Sequence, residues 1–223
     1  MKIEWVGSPN FRSGRGGKKI IAIVNHITAG AYPGCLNWMQ NPSAQASAHY
    51  LITKTGRILQ LVKEGDTAWH AGAVNRPNWK LYDGTNPNRY TLGIEHEGWP
   101  QDELTEKQYQ ATLWLQKQLV AKYNIPVDED HIIGHYRIDS VNRPNCPGPK
   151  FPWTRLFNDL KGGDSLDKVT LKDVIITKTK FGNEELSGYI IGGKTYVELR
   201  KLCELLGLKV VWNEKTFTSE VIK

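Results

Sequence analysis

The chain lacks any apolar run approaching the roughly 18 to 20 residues that would span a bilayer, and its opening, MKIEWVGSPNFRSGRGGKK, has no apolar stretch of the kind a secretory signal carries. The first absence argues against membrane insertion and the second against general export, so the expected product is soluble. Cysteine is scarce and odd in number. Cys35, Cys146 and Cys203 are widely spaced in 223 residues, which excludes a disulfide framework and favours free or metal-bound thiolates. Histidine is missing from the whole C-terminal part: all six, at 26, 49, 70, 96, 131 and 135, precede residue 136. No basic helix or basic-aromatic repeat is present, which excludes a nucleic-acid reader.

What the chain does have is ordinary globular composition, 39% hydrophobic and 23% charged, with a net charge of +6. Residues 164–223 hold ten Lys or Arg against nine Asp or Glu, so +5 of the excess falls in residues 1–163. A charge of that size favours polyanions in general, an acidic cell wall among them.

Residues 19–25, KIIAIVN, form an apolar, β-branched run that reads as a buried strand ending on polar HITAG. SAHYLIT (47–53) and ILQLV (58–62) flank the turn signal KTGR and read as a hairpin. Residues 71–90, rich in Asn, Gly and Pro, read as a long loop, and long loops in compact domains are often functional. TLGIEHEG (91–98) supplies another strand. Thr105 then opens the clearest helix: it pairs with Gln108 as a capping box, Leu104 pairs with Tyr109 as a staple, and Ala111, Leu115 and Leu119 recur at i+4. A short strand, HIIG, and a closing helix over 151–160 follow. Past the Gly-rich KGGDS the texture changes to short strands around one amphipathic helix, 195–207, stopped by Gly207. The expected division is a catalytic domain at 1–162, a linker at 163–168 and a small α+β domain at 169–223.

His26 ends a buried strand, His135 follows HIIG, and Cys146 comes eleven residues later in the tight loop NCPGP. Two imidazoles and a thiolate form an accepted zinc set, and three protein ligands leave a fourth position for water, as in catalytic sites. The same residues also read as a buried cysteine and two core histidines, and spacing alone does not separate the two.

The wider pattern does. In order, IVNHITAG, SAHYLITKTGRILQLV, AWHAG, TLGIEHEG, HIIGHYRID and CPGP resemble the type 2 N-acetylmuramoyl-L-alanine amidase family, which includes phage and bacterial wall amidases and animal peptidoglycan recognition proteins. The resemblance implies a mixed α/β fold with a central sheet and packed helices, with one zinc per chain held by His26, His135 and Cys146. It implies Glu95 as the acid that activates or orients water, in preference to Glu97 on the same side of the strand. Trp69 and His70 of AWHAG fall in a block that borders the substrate cleft. Many members carry a Lys two residues before the third ligand; Pro144 stands there, so Arg143 takes the oxyanion role or zinc carries it alone. His49, His96 and His131 read as structural. Trp79, Tyr82 and Tyr90 either stack on sugars or pack the long loop down.

The implied reaction is hydrolysis of the amide between N-acetylmuramic acid and the L-alanine of the stem peptide, with bacterial peptidoglycan as partner. The rival is a receptor that keeps the fold without catalysis; such relatives typically lack the cysteine ligand, which is present here. A wall-hydrolase head with an accessory module looks like a phage or prophage endolysin, made in the host cytoplasm and reaching the wall through a separate pore. The C-terminal LSGYIIGGKTYVELRKLCELLGLKVVW resembles the copper amine oxidase N-terminal-like domain; without histidine it offers no copper site, and a wall-binding or spacing role is expected.

Overall fold

A computed structural model describes residues 1–72, 74–162, 175–181, 183–191, 194–213 and 218–222. It divides into two compact units, Met1–Lys161 and Gly162–Lys223.

The first unit is built on a six-stranded mixed sheet of order β1-β5-β4-β7-β3-β8. Its strands are β1 (Ile3–Trp5), β3 (Ala22–Ile27), β4 (Tyr50–Ile52), β5 (Ile58–Gln60), β7 (Thr91–His96) and β8 (Ile132–Gly134). Only β4 and β5 run antiparallel, as the KTGR turn requires; the other neighbouring pairs are parallel. Two-residue strands β2 (Phe11–Arg12) and β6 (Thr67–Ala68) pair separately. β1 carries no periodic signal in so short a stretch, and it docks at the sheet edge beside β5.

All six residues of β3 are buried, so both faces of the sheet are covered. Alternation along the strand sends Ile23 to the same cluster as Leu92, Ile94, Leu115 and Leu119, under helix α2 (Glu106–Tyr123). Ala22 and Val24 point the other way, into a cluster with Trp79, Tyr90 and Ile133. Helix α1 (Gly34–Gln40) covers that second face through Leu36 and Met39, packed with Leu51 and Leu59. Helix α3 (Trp153–Leu160) contributes Leu156 to a fourth cluster with Tyr109 and Ile132.

The Thr105 cap forms as expected, its side chain accepting from the Gln108 N–H at 3.1 Å. The reciprocal half of the capping box does not form: the Gln108 side chain donates to the Ile52 and Glu97 carbonyls instead. With Thr112 and Gln116 it makes a buried polar row along α2, at i+4 spacing. Thr112 meets His96, and Gln116 donates to Asn25 at 2.7 Å.

In the second unit, β9 (Ile175–Phe181), β10 (Glu184–Ile191) and β11 (Lys194–Val197) form an antiparallel sheet of order β11-β10-β9. A hairpin of β12 (Lys209–Asn213) and β13 (Thr218–Ile222) follows α4 (Leu199–Leu205). The helix expected at 195–207 is therefore shorter. Thr195, Tyr196 and Val197 pair with β10, where β-branched and aromatic residues sit more readily than in a helix. Gly207, at φ +69°, closes α4 as expected: Leu208 N–H reaches back to the Cys203 carbonyl and Gly207 N–H to Glu204, the bonds of a Schellman ending. The linker expected at 163–168 lies outside the described residues.

Candidate metal centre and catalytic cleft

Three parallel strands deliver the chemistry to one place. His26 and Glu95 are register partners on β3 and β7, and Asn25 pairs with Gly134, which sets His135 beside His26. Parallel partners share a face, so His26 and Glu95 point away from α2, while Asn25 and His96 point toward it. The site thus lies at the carboxyl ends of the strands, the usual place for ligands in open α/β sheets.

Cys146 arrives from the loop after β8. Its sulfur accepts from Ile27 N–H at 3.4 Å and lies 3.8 Å from His26 Nδ1. His26 Nδ1 and His135 Nδ1 are 3.1 Å apart. All three side chains are buried, with ligand atoms mutually within 4.8 Å. Zinc distances of about 2.0–2.1 Å to nitrogen and 2.3 Å to sulfur place tetrahedral neighbours roughly 3.3 to 3.6 Å apart, and the two separations from His26 Nδ1, 3.1 Å and 3.8 Å, are within a few tenths of an ångström of that. Charge agrees with size. Burial pushes the Cys146 thiol up to about 12, while burial and neighbouring charge hold His26 well below its ordinary range and His135 near 4. A buried thiolate needs a cation and neutral imidazoles offer lone pairs, so this set fits a divalent metal that displaces the thiol proton.

These residues form the floor of a cleft of about 1140 Å³. Glu95 lines it, and its Oε2 is buried with no hydrogen-bond partner among the described residues. Burial pushes this carboxyl up to about 8, with Arg143 pulling the other way. Glu97 is committed elsewhere, accepting from the Tyr32 and Lys54 backbone N–H groups; the preference for Glu95 is thereby a difference in availability. Arg143 and Pro144 lie on the cleft wall, and the Arg143 charge reaches Glu95, His26, His135 and Cys146.

Trp69 is half-buried on the wall, its backbone N–H held by Ser47 Oγ. His70 also borders the cleft, yet both its nitrogens have partners: Nδ1 lies 3.1 Å from His26 Nε2, and Nε2 lies 3.3 Å from Thr91 Oγ1. His70 needs Gly93 beneath it, where a Cβ would sit 2.3 Å from the ring. Thr91 and Gly93 carry no chemical motif of their own in the sequence, although a glycine inside a strand is a signal of close approach.

The other histidines are structural. His49 accepts from Gly93 N–H and packs against Arg15, His96 bridges the His26 carbonyl and Thr112, and His131 caps a turn through Asp128. Trp79 stacks on Tyr90 and donates to the Asp130 carbonyl, so these two pack the loop down.

A family model described as N-acetylmuramoyl-L-alanine amidase matches residues 16–149. N-acetylmuramoyl-L-alanine amidase A of Achromobacter lyticus is 33% identical over 161 residues, covering 64% of this chain and 84% of that one. The 1,6-anhydro-N-acetylmuramyl-L-alanine amidase AmpD of Salmonella typhimurium LT2 is 38% identical over 112 residues, 50% of this chain and 55% of AmpD. A crystal structure of AmpD shares the fold with a TM-score of 0.56 at 26% identity, over 71% of this chain and 93% of that one. AmiD from Escherichia coli, solved with anhydro-N-acetylmuramic acid-L-Ala-D-γ-Glu-L-Lys, matches with a TM-score of 0.54 at 30% identity, over 65% and 57%.

Proposed function

The chain belongs to the N-acetylmuramoyl-L-alanine amidase family, and we propose that its first unit is a zinc-dependent amidase that hydrolyses the bond between N-acetylmuramic acid and the L-alanine of the peptidoglycan stem. The observation that carries this reading is the meeting of buried His26, His135 and Cys146 with the unpartnered Glu95 oxygen on one cleft floor. The muramyl peptide bound to AmiD supports the substrate class.

His26, His135 and Cys146 would hold the ion. Zinc, when bound, supplies Lewis acidity toward the scissile carbonyl and lowers the pKa of water. The remaining work falls to the chain. Glu95 Oε2 takes the proton of the attacking water and returns it to the departing L-alanine nitrogen, a role suited to a buried carboxyl raised toward neutrality. Arg143, in place of the lysine many relatives carry two residues before the third ligand, offers the cation nearest the developing oxyanion. Trp69 walls the cleft beside the stem peptide. An endolysin role, on phage or prophage origin, and a wall-binding role for Gly162–Lys223 complete the reading; both rest on the pairing of a wall-hydrolase head with an accessory module.

The test is elemental analysis with wall digestion by wild type, Cys146→Ser and Glu95→Gln, counting new L-alanine amino termini. One zinc per chain and new termini are expected for wild type. Cys146→Ser loses the metal, and Glu95→Gln keeps it while losing roughly 10²–10⁴ in rate. Wall binding without new termini would make the protein a receptor.

A further inference from the structure

We propose that His70 and Thr91 form a hydrogen-bond relay, anchored on the Pro87 carbonyl, that fixes the tautomer of His26 so that its Nδ1 lone pair faces the metal site. Both are positioning residues, and the inference rests on the reading of His26 as a ligand.

The relay is a run of three contacts among buried groups. His26 Nε2 is 3.1 Å from His70 Nδ1, His70 Nε2 is 3.3 Å from Thr91 Oγ1, and Thr91 Oγ1 is 2.8 Å from the Pro87 carbonyl oxygen. Each of the first two contacts, taken alone, works in either direction, because a neutral imidazole has one donor and one acceptor nitrogen and a hydroxyl is both. The carbonyl breaks the symmetry, since it only accepts. At 2.8 Å the Thr91–Pro87 contact has the usual length of an O–H···O bond, whereas 3.3 Å is long for a hydroxyl donor. The Thr91 proton therefore belongs to Pro87, and Thr91 Oγ1 accepts from His70 Nε2–H. His70 Nδ1 is then unprotonated and accepts from His26 Nε2–H. His26 Nδ1 is left bare, and that nitrogen faces His135 Nδ1 and Cys146 Sγ.

Reversing the relay would put the proton on His26 Nδ1 and remove it as a ligand. Metal-bound histidines usually give their second N–H to a carboxylate or carbonyl, which can only accept. His26 gives it to another imidazole, which can do either, so a further residue must set the direction. Thr91 meets that need. Gly93, by lacking a Cβ, makes room for the ring through which the relay passes.

The experiment uses the full chain labelled with nitrogen-15 histidine. Long-range proton–nitrogen spectra of the metal-free protein should show His26 protonated at Nε2 and bare at Nδ1, with His70 likewise protonated at Nε2. Zinc affinity is then measured by chelator competition in Thr91→Val, His70→Leu and His70→Asn, with thermal unfolding of each metal-free variant as the fold control. Thr91→Val and His70→Leu should mix or reverse the His26 tautomer and weaken zinc roughly 10–100-fold. His70→Asn should rescue, because Oδ1 stands the same number of bonds from Cα as Nδ1 and only accepts; its affinity should stay within a few-fold of wild type. A merely structural His70 would make Leu and Asn lose alike. A wild-type His26 protonated at Nδ1, or unchanged zinc affinity in His70→Leu, would overturn the relay. Zinc-free wild type would instead overturn the metal reading, and the metal-free spectra would still decide the tautomer.

Discussion

Single residues set the tolerances of this site. Gly93 is a tight one: a Cβ there would meet His70 Cγ at 2.3 Å and Nδ1 at 2.6 Å, and His70, buried at 6% exposure, has little room to retreat. Gly93→Ala is expected to destabilise the protein by about 1–3 kcal/mol, the usual cost of overpacking, and to weaken zinc binding by pushing His70 off His26. Chemical denaturation with chelator competition checks both, and wild-type values in each would show that the ring moves freely. His49 sets a pH limit. Burial, with Arg15 adding to it, lowers this histidine to about 3 from an ordinary 6.5, and protonation would cost its bond from Gly93 N–H. Between those values the unfolded chain holds a proton that the folded chain does not, so this contribution to stability is complete above about 6.5 and is lost as pH falls toward 3. Denaturation midpoints of metal-free protein from pH 7 to 4 should fall less steeply in His49→Asn than in wild type. Equal slopes would place the acid sensitivity elsewhere.

At the scale of elements, the site depends on the register of β7, β3 and β8, and α2 holds that register from behind. Its buried polar row reaches β4, β7 and β3 through Gln108, Thr112 and Gln116, which no apolar face could do with the same specificity of alignment. The N-terminus of α2 is tied in through Thr105, which accepts from Gln108 N–H and donates to the Lys54 carbonyl in the β4–β5 turn. Thr105→Ala should cost about 1 kcal/mol, measurable as a lowered unfolding midpoint. Because the cap lies far along the helix from Gln116, zinc affinity should remain; a parallel loss of both would mean that the helix end communicates with strand register.

For the whole molecule, the division at Lys161 separates a unit with its own core from a much smaller one. The described residues that line the cleft belong to Met1–Lys161. A chain ending at Lys161 is expected to unfold cooperatively and to bind zinc and cleave soluble muramyl peptides at the full-length rate. Pelleting with cell walls is where the two should differ, since tethering raises local substrate concentration. Equal pelleting would remove the wall-binding role from Gly162–Lys223, and loss of soluble-substrate activity would make that unit part of the enzyme.

The sequence by itself determined the mixed α/β class and the main elements of the first unit. Apolar, β-branched runs, the KTGR turn and the Thr105 cap act over a few residues, and a chain pattern records local physics directly. It also singled out His26, Glu95, His135 and Cys146, because their blocks occur in the family order. Thr195–Val197 went the other way: helical periodicity covered them, and pairing with β10 overrode it. Only the tertiary structure decided which groups are free and which are committed. Glu97 is tied to two backbone N–H groups while the Oε2 of Glu95 stays unpartnered. His70 faces His26 across 44 residues of chain. Thr91 and Gly93 owe their importance to what stands beside them, and that follows from parallel register between strands distant in sequence, which no local pattern encodes.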